Sequence, residues 1–522
     1  MCIRMGKTNL AVRLVAAVVF LLLGCLQAGR YINEFPAYVH AWAQADWYSI
    51  ALGFINNGFD FLHPETLIYN KQFPGCWLVD YNSTVTSVDF PLHEYVVAFL
   101  MWIFDTKEPW VFHLWTWLCS MVGVWFLFLM ARRITGSALK SIAVVMLCMT
   151  TPVYAFYMAN FLPSAPSLSL IMVGLWAYIR HWQENCERDW HLSVSLLALA
   201  TLTRTSQLVT LLAVCLFELL RIIRKEERLK LKWLSVAIAI AAIGGFYLWN
   251  RHLAAEHGTL FLGYLRPPEN WENVEFVFDH IRYSWKWQYF TRLQHWIVAV
   301  SLIAALVYAL WRRKQKQPTS APLSLGWLAA IWFLGEICFF VAMMMQYVDH
   351  DYYFLDSFYL PIIFSFALAL RSLPAIGNRR IAALIVVVLL ILGGSMYNGA
   401  KHALRGRRGS EDCAMQTALN YDGSAQWLDK IGVSRDARML AFVSYPQNSP
   451  FIKMERRGYS VMWWDNSIVE RALTFNFDYI VMENTVYETS REEHSNVLKY
   501  FKPVATNGSI TLYTIEPKSV IE

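Results

Sequence analysis

The sequence contains few charged residues for its length. Asp, Glu, Lys and Arg make up 16% of the 522 residues, whereas an average soluble domain contains roughly 25%. Hydrophobic residues account for 56% and aromatic residues for 16%, and the mean hydropathy is +0.33. A soluble protein of this composition would leave much of its apolar surface exposed to water. The composition therefore excludes an ordinary soluble enzyme and indicates a multi-span membrane protein.

Several common motifs are also absent. The nine cysteines are scattered, with no CxxC pair and no Cys/His cluster, and no repeat of fixed period is present. These absences argue against a zinc site and against a transporter built from obvious repeats. The net charge of +6 comes from basic residues whose positions fit a membrane-sidedness pattern, so we expect no nucleic-acid partner.

Long apolar segments are abundant, and a helix needs about 20 such residues to cross a bilayer. About eleven spans are predicted, and together they indicate a multi-span α-helical membrane protein. The segments are 10–28, 111–131, 140–158, 165–181, 190–203, 205–221, 232–249, 293–311, 325–345, 354–371 and 381–398.

The distribution of Lys and Arg predicts the direction of the spans, because cytoplasmic loops are enriched in both residues. If the N-terminus is cytoplasmic and 92–104 does not cross the membrane, the basic segments at 221–232 and 311–316 lie on the cytoplasmic side. We therefore interpret 92–104, LHEYVVAFLMWIF, as an amphipathic helix on the outer membrane surface. The C-terminus is then periplasmic, and the basic segment 401–408 is an exception to the rule.

Three large regions are predicted on the periplasmic side of the membrane: 29–110, 250–292 and about 400–522. Residues 29–110 form the first periplasmic loop of a transmembrane domain that spans 1–399. Residues 400–522 form a small soluble α/β domain, because ARMLAFVS, FDYIVME and GSITLYTIE have strand patterns and AQWLDKIG and SNVLKYF have helical ones. This C-terminal segment contains no glycine-rich phosphate loop and no metal-ligand spacing.

One carboxylate stands out in the first loop. Asp46 lies in HAWAQADWYSIALGF, where apolar residues recur at helical spacing. On a helix Asp46 falls one turn from Trp42 and Ile50, which would direct its carboxylate along the membrane surface. It is either a solvated interface carboxylate or a general base, since a carboxylate can take a proton from an acceptor hydroxyl.

Other candidates lie close to the predicted outer membrane surface. Arg204 and Arg292 are isolated basic residues on the side that the charge rule disfavours, and His350 belongs to an Asp-His-Asp triplet. Snorkelling explains such arginines equally well, but basic groups at this depth also suit a lipid phosphate. Further candidates for the donor or acceptor site are Asp60, Asp89, His93, Asp351 and Tyr352.

The order of these segments resembles the GT-C superfamily of membrane glycosyltransferases. It is most similar to the family-39-type enzymes, the protein O-mannosyltransferases and lipid A aminoarabinose transferases. The segments that match are QADWYSIA, DFPLHEYVVAFLMWIF, FHLWTWLCSMVGVWFLFLMARRITG, PVYAFYMANFLPSAPSLSL and HDYYFLDSFYLP. The resemblance covers roughly residues 8–400 and depends on order and topology more than on strict motifs.

The resemblance implies inverting transfer of a sugar from a polyprenyl-phosphate donor to a periplasmic lipid, protein or glycan. By position, Asp46 matches the family's loop Asp, while Arg204 and His350 match residues near the donor phosphate. Two departures concern the acidic residues: Trp47 follows Asp46 where the family often has Glu, and Ser164 stands where a second acid is expected. A divalent metal is therefore left open, with Asp60, Asp89 or Asp351 as substitutes for the missing acid.

Two other functions remain open at this stage. A transporter or flippase of lipid-linked saccharides needs charged residues within the spans, and Glu336 is the central candidate. A catalytically inactive GT-C relative that acts as an assembly protein would also explain the missing acid at Ser164.

Overall fold

The computed structural model describes residues 10–226, 231–314, 324–373, 379–409 and 412–515. Short 3-10 turns occur at Gly29–Tyr31, Thr205–Gln207 and Leu231–Trp233, and a π-helical turn at Ile281–Trp285. The α-helices of the described residues are α1 (Leu10–Ala28), α2 (Ala41–Asn56), α3 (Leu92–Ile103), α4 (Pro109–Thr135), α5 (Ala138–Met149), α6 (Pro152–Tyr157), α7 (Ser164–Glu184), α8 (Glu187–Thr203), α9 (Leu208–Ile223), α10 (Leu234–His257), α11 (Trp271–His280), α12 (Lys286–Tyr289), α13 (Arg292–Lys314), α14 (Leu325–Ala342), α15 (Gln346–Asp349), α16 (Tyr352–Asp356), α17 (Tyr359–Ser372), α18 (Arg379–Arg407), α19 (Cys413–Asn420), α20 (Ser424–Lys430), α21 (Ser449–Met454), α22 (Asn466–Leu473), α23 (Asn484–Ser490) and α24 (Ser495–Leu498).

The predicted spans coincide with helices, although two of them are broken. Within the described ranges, five helices are long and apolar enough to cross a membrane, or six if a pair bent by 90° counts as one span. The predicted segment 140–158 is divided between α5 and α6, and 354–371 between α16 and α17. The chain is thus an integral membrane protein, while the number of about eleven spans and their direction stay predictions. Parts of the basic segments, at 227–230 and 315–316, lie outside the described residues.

The chain forms two compact units. The helical unit comprises Met1–Ile32, His113–Phe246 and Tyr264–Gly406. The mixed unit comprises Asn33–Phe112, Tyr247–Gly263 and Arg407–Glu522. The predicted boundary at 399/400 stays a prediction.

The C-terminal part of the mixed unit, here called the sheet module (412–515), has the predicted α/β character. Its strands are β1 (Arg438–Phe442), β2 (Arg457–Val461), β3 (Tyr479–Glu483), β4 (Phe501–Thr506) and β5 (Ile510–Ile515). They form one sheet in the order β2-β1-β3-β5-β4. Strand β1 is parallel to β2 and β3, and β5 is antiparallel to β3 and β4. The alternating strands and helices of the sequence therefore indicate this module correctly.

The first loop adds to the edge of this sheet. The Tyr69 amide donates to the Gly458 carbonyl at 2.9 Å, and the Gly458 amide donates to Leu67 at 3.1 Å. The Asn70 side chain makes two further bonds of 2.9 Å to the main chain of Ser460. Because an edge strand has unpaired main-chain groups, β2 offers a natural docking line for 67–70. The first loop and the sheet module therefore share one folded unit.

The segment 92–104 forms a helix, α3, as predicted. Its two faces differ: His93, Glu94 and Val97 are buried, whereas Phe99 and Trp102 are exposed. An exposed face with large aromatic side chains is typical of a helix that lies on a membrane surface. Its position on the outer surface stays a prediction.

Gly53 allows α2 to approach the loop strand closely. A Cβ atom at Gly53 would lie 1.9 Å from the Glu65 carbonyl oxygen, which is main chain and cannot rotate away. We expect Gly53→Ala to destabilise the mixed unit by about 3 kcal/mol, the upper end of the usual overpacking cost. Thermal unfolding in detergent measures the effect. Gly263→Ala is the matched control, since nothing lies within 4 Å of its Cβ position; equal midpoints for the two variants would contradict the prediction.

Candidate active site

Asp46 lies on α2, which is buried on all sides. Every residue from Gln44 to Phe54 is buried, and Asp46 itself is 2% exposed. A helix that is apolar all round is expected inside a protein rather than on its surface. The predicted helix is therefore confirmed, but its carboxylate does not point along the membrane surface. It is enclosed by residues of the sheet module.

Two amide side chains hold the Asp46 carboxylate. The Asn448 Nδ2 group donates to Oδ1 at 2.8 Å, and the Gln447 Nε2 group donates to Oδ1 and Oδ2 at 3.0 and 3.2 Å. Trp42 makes a further side-chain hydrogen bond. Because an ionised carboxylate accepts hydrogen bonds but donates none, this set of donors is complementary to the charged form.

Burial acts in the opposite direction. It raises the pKa of Asp46 from the ordinary value of 3.8 to about 7, although the bonds from Asn448, Gln447 and Trp42 each lower the pKa. Desolvation disfavours the charged form, and hydrogen bonds to that form favour it. The balance leaves a carboxyl group that exchanges its proton near neutral pH, which is the range suited to a general base at physiological pH.

The donors around Asp46 do not fit a metal ion. Both neighbouring amides present N–H groups to the carboxylate, and a cation requires oxygen or nitrogen lone pairs instead. In the ranges that the structure describes, His, Cys, Asp and Glu form no group of three or more that could hold a metal. The residues at Asp46 therefore support chemistry by the carboxylate and its hydrogen bonds.

The other candidates of the first loop are separate from this carboxylate. Asp60 is exposed and pairs with His63 Nδ1 at 2.8 Å. Asp89 is half-buried immediately before α3. His93 is buried against the Phe112 ring, and burial lowers its pKa to about 3. His93 is therefore neutral at physiological pH, so it could donate or accept a hydrogen bond but not supply a positive charge.

Several candidates of the helical unit do come together. We call Arg204, His350, Asp351, Tyr352 and Asp356 the lip cluster. The Arg204 Nε atom lies 2.6 Å from Asp356 Oδ2, and its guanidinium lies 5.0 Å from the centre of the Tyr352 ring. The rings of His350 and Tyr352 are 5.1 Å apart. The cluster thus combines a cation, a carboxylate and an aromatic surface.

The missing acid at Ser164 has a structural explanation. The Asp356 carboxylate lies close to Ser164, so a carboxylate is present near this position but comes from a different part of the sequence. The expected substitute, Asp351, instead accepts a hydrogen bond from the Tyr157 hydroxyl at 2.7 Å. Arg292 lies outside the lip cluster, exposed, with its guanidinium 5.1 Å from the Trp287 ring centre.

Sequence reasoning missed Gln447, Asn448 and Asp356. The two amides occur in YPQNSP, a loop that directly follows a predicted strand. Polar residues at the end of a strand are a recognisable signal, but nothing local indicates a partner about 400 residues earlier. Asp356 lies within the predicted span 354–371. An acidic residue within a span is unusual enough to suggest a functional site, and this signal could have identified Asp356.

A groove of about 800 Å³ lies within the mixed unit. Tyr48, Leu52 and Asn56 of α2 contribute to its lining, together with charged residues of the sheet module such as Arg438 and Lys453. Asp46 is not among the described residues that line it. The groove therefore meets α2 away from the Asp46 carboxylate.

Comparisons with known proteins agree with this architecture. Residues 89–249 match the family model of dolichyl-phosphate-mannose-protein mannosyltransferases, and no curated protein sequence matches the chain significantly. ArnT from Cupriavidus metallidurans in the apo state has a similar fold, with a TM-score of 0.58 and 12% identity over 96% of this chain and 97% of that one. The same enzyme bound to undecaprenyl phosphate gives a TM-score of 0.56 at the same identity and coverage.

A second solved fold is also similar. The oligosaccharyltransferase from Archaeoglobus fulgidus, in a complex with Zn and sulfate, gives a TM-score of 0.53 and 12% identity over 97% of this chain and 73% of that one. At such identities the likeness concerns the fold. The resemblance predicted from the sequence is confirmed, and this chain has the fold of the GT-C membrane glycosyltransferases and a segment that matches their protein mannosyltransferase family.

Proposed function

We propose that this chain is an inverting glycosyltransferase that moves a sugar from a polyprenyl-phosphate donor to a hydroxyl group of a periplasmic acceptor. The observation that carries the proposal is the buried Asp46 carboxylate, whose pKa of about 7 suits a general base. The GT-C fold supports the reaction class. The ArnT structure with undecaprenyl phosphate supports the lipid carrier, while the acceptor is a lipid, a protein or a glycan.

The proposed reaction needs one proton acceptor and one stabilised leaving group. Asp46 takes the proton of the acceptor hydroxyl while the oxygen of that hydroxyl forms a bond to the anomeric carbon of the sugar. The bond between that carbon and the phosphate oxygen breaks, and the polyprenyl phosphate leaves with the electron pair. Attack from the opposite face inverts the sugar's configuration. The donor set around Asp46 does not fit a metal ion, so no step of this proposal uses one.

The lip cluster is proposed to bind the donor phosphate. Arg204 supplies a guanidinium that suits phosphate oxygens geometrically, and Tyr352 supports it from one side. His350 and Arg292 are proposed as further phosphate-binding groups, and Asp351 and Tyr352 as contacts of the donor or acceptor. Asp60, Asp89 and His93 remain proposed contacts of the donor or acceptor.

A transfer assay tests the proposal directly. The purified protein in nanodiscs is mixed with undecaprenyl-phosphate-linked mannose, glucose or aminoarabinose, and with membrane extracts as a source of acceptors. We expect release of free undecaprenyl phosphate and transfer of label with at least one donor. Movement of intact donor across the bilayer without its cleavage would instead indicate a flippase. Donor binding without cleavage or movement would indicate an inactive relative that acts in assembly.

A further inference from the structure

The sheet module reaches the Asp46 carboxylate through two adjacent residues. Gln447 and Asn448 immediately precede α21 and are both fully buried. Their amide nitrogens lie 2.8 to 3.2 Å from the carboxylate oxygens. Two amides are thus placed in a water-excluded interior around one acidic group of the first loop.

The orientation of each amide is fixed by a second partner. The Trp77 Nε1 group donates to Gln447 Oε1 at 2.8 Å. Because an indole nitrogen only donates, the Gln447 nitrogen must face Asp46. The Thr66 hydroxyl similarly donates to Asn448 Oδ1 at 3.0 Å. Neither amide can turn its oxygen toward the carboxylate without losing a buried hydrogen bond.

The main chain of Asp46 is held as well as its carboxylate. The Ser49 hydroxyl donates to the main-chain oxygen of Asp46 at 2.7 Å and lies 3.1 Å from the Thr66 hydroxyl. Each hydroxyl has one hydrogen, and these two hydrogens are used on Asp46 and Asn448, so the Ser49–Thr66 contact is packing and not a further hydrogen bond. Buried groups that are hydrogen-bonded to one another hold each other in one arrangement. This is more than a docking contact requires, because apolar packing would dock the module equally well.

We propose that Gln447 and Asn448 are positioning residues that keep the Asp46 carboxylate in one orientation and tune its ionisation, which makes the sheet module part of the catalytic apparatus. This rests on the proposed function, in which Asp46 is the base. Burial disfavours the ionised carboxylate, and each amide partly offsets this by donating a hydrogen bond to it. Loss of one amide must therefore favour the protonated form.

No charged side chain of the described residues contributes to the pKa of Asp46. Tyr445 is the titratable side chain that faces Asp46 electrostatically, and burial raises its pKa to about 12. It stays neutral across an assay between pH 5 and pH 9 (the range is chosen to bracket about two units on each side of neutrality). Because the Gln447 and Asn448 amides donate to the Asp46 carboxylate, a shift of the pH profile that substitution of these amides causes in that range reports Asp46.

The first test is the pH dependence of transfer by Asn448→Ala. A hydrogen bond to a charged group contributes enough to move the midpoint of the acidic limb upward by about 1 to 2 pH units. At pH 7 the rate should fall roughly fivefold to fiftyfold, and near pH 9 it should recover to within a few-fold of the wild type. The donor KM should not change, because the residue does not contact the donor phosphate in this proposal.

A second variant retains the shape of the site. Gln447→Glu places another carboxylate beside Asp46, and two like charges at this distance raise one pKa strongly. We expect a larger upward shift than with Asn448→Ala. Asn420→Ala is the matched control, because it removes an amide bond of 2.6 Å to a different buried carboxylate, Glu483 of the sheet module, and its profile should match the wild type.

One result would overturn the proposal. If folded Asn448→Ala and Gln447→Glu keep the wild-type midpoint of the pH profile, with or without a uniform loss of rate, the amides have only a structural role.

Thermal unfolding provides a readout that needs no activity. Relative to Asp46→Asn, the wild-type midpoint temperature should fall as pH rises from about 4 to about 7, and in Asn448→Ala this fall should continue to about pH 8 or 9. Failure of the proposed function would leave this shift intact, so the two failures are distinguishable.

Discussion

Asp46→Asn is expected to lower sugar transfer by about 100-fold to 10,000-fold, the contribution usual for a general base. The Asn side chain has nearly the same shape and can still accept hydrogen bonds from Gln447 and Asn448, but it cannot take a proton. The rate of the wild type should rise with pH through about 7 as Asp46 ionises. The variant should lose this limb as well as the rate. Label transfer from an undecaprenyl-phosphate sugar, measured between pH 5 and pH 9, checks both expectations.

The same variant should remain folded. The pKa of Asp46 is higher in the folded protein than the ordinary value of 3.8, so the folded state holds a proton that the unfolded state releases. Stability from this group is therefore present at low pH and is lost as pH rises through about 7. An uncharged Asn avoids that loss. We expect Asp46→Asn to unfold at the wild-type temperature or above it at pH 8, in contrast to the usual cost of altering a buried group.

Glu483→Gln is the matched control for this experiment. Glu483 is also buried, and it accepts bonds of 2.6 Å from Thr417 and from Asn420. It belongs to the same mixed unit but is not a proposed catalytic group, so Glu483→Gln should retain transfer activity. Near-normal transfer by Asp46→Asn, or an equal loss in both variants, would remove Asp46 from the role of base.

The fold was largely predictable because it depends on local patterns. Apolar length predicted the helices at 10–28 and 325–345 closely, and alternation predicted strands such as β1 and β5. The breaks in 140–158 and 354–371 were missed, because a short interruption changes mean hydropathy very little. The docking of 67–70 on β2 could not be predicted either, since main-chain pairing leaves no signature in side-chain composition.

The site was only partly predictable, for a related reason. Asp46 and Arg204 were recognisable because each is a charged residue in an apolar context, which is costly unless it has a partner. Their partners are not adjacent in sequence: Asn448 is 402 positions from Asp46, and Asp356 is 152 positions from Arg204. Ser164 suggested a lost acid because the sequence cannot show that another segment brings a carboxylate to the same place. A single chain reveals which residues need partners but not which residues supply them.

Arg204→Ala is expected to weaken binding of undecaprenyl phosphate more than it weakens binding of the acceptor. Its guanidinium combines an ion pair to Asp356 with contact to the Tyr352 ring, and a charge-assisted contact to phosphate is worth about 1.5 to 3 kcal/mol. The Kd for undecaprenyl phosphate should therefore rise by roughly 10-fold to 100-fold. Quenching of tryptophan fluorescence in nanodiscs measures this Kd. Arg133→Ala is the matched control, because Arg133 also forms an ion pair in the helical unit, 2.7 Å from Glu184, but is not a proposed phosphate ligand.

Loss of Arg204 also removes the partner of Asp356, whose side chain is 1% exposed. Breaking a buried pair in this way costs about 3 to 5 kcal/mol, so weak binding by Arg204→Ala alone could reflect a damaged fold. The double variant Arg204→Ala, Asp356→Asn separates the two effects, because it leaves no buried charge unpaired. We expect it to unfold close to the wild-type temperature and still to bind undecaprenyl phosphate weakly. If the double variant recovers both stability and affinity, Arg204 serves the fold and the donor phosphate is held elsewhere.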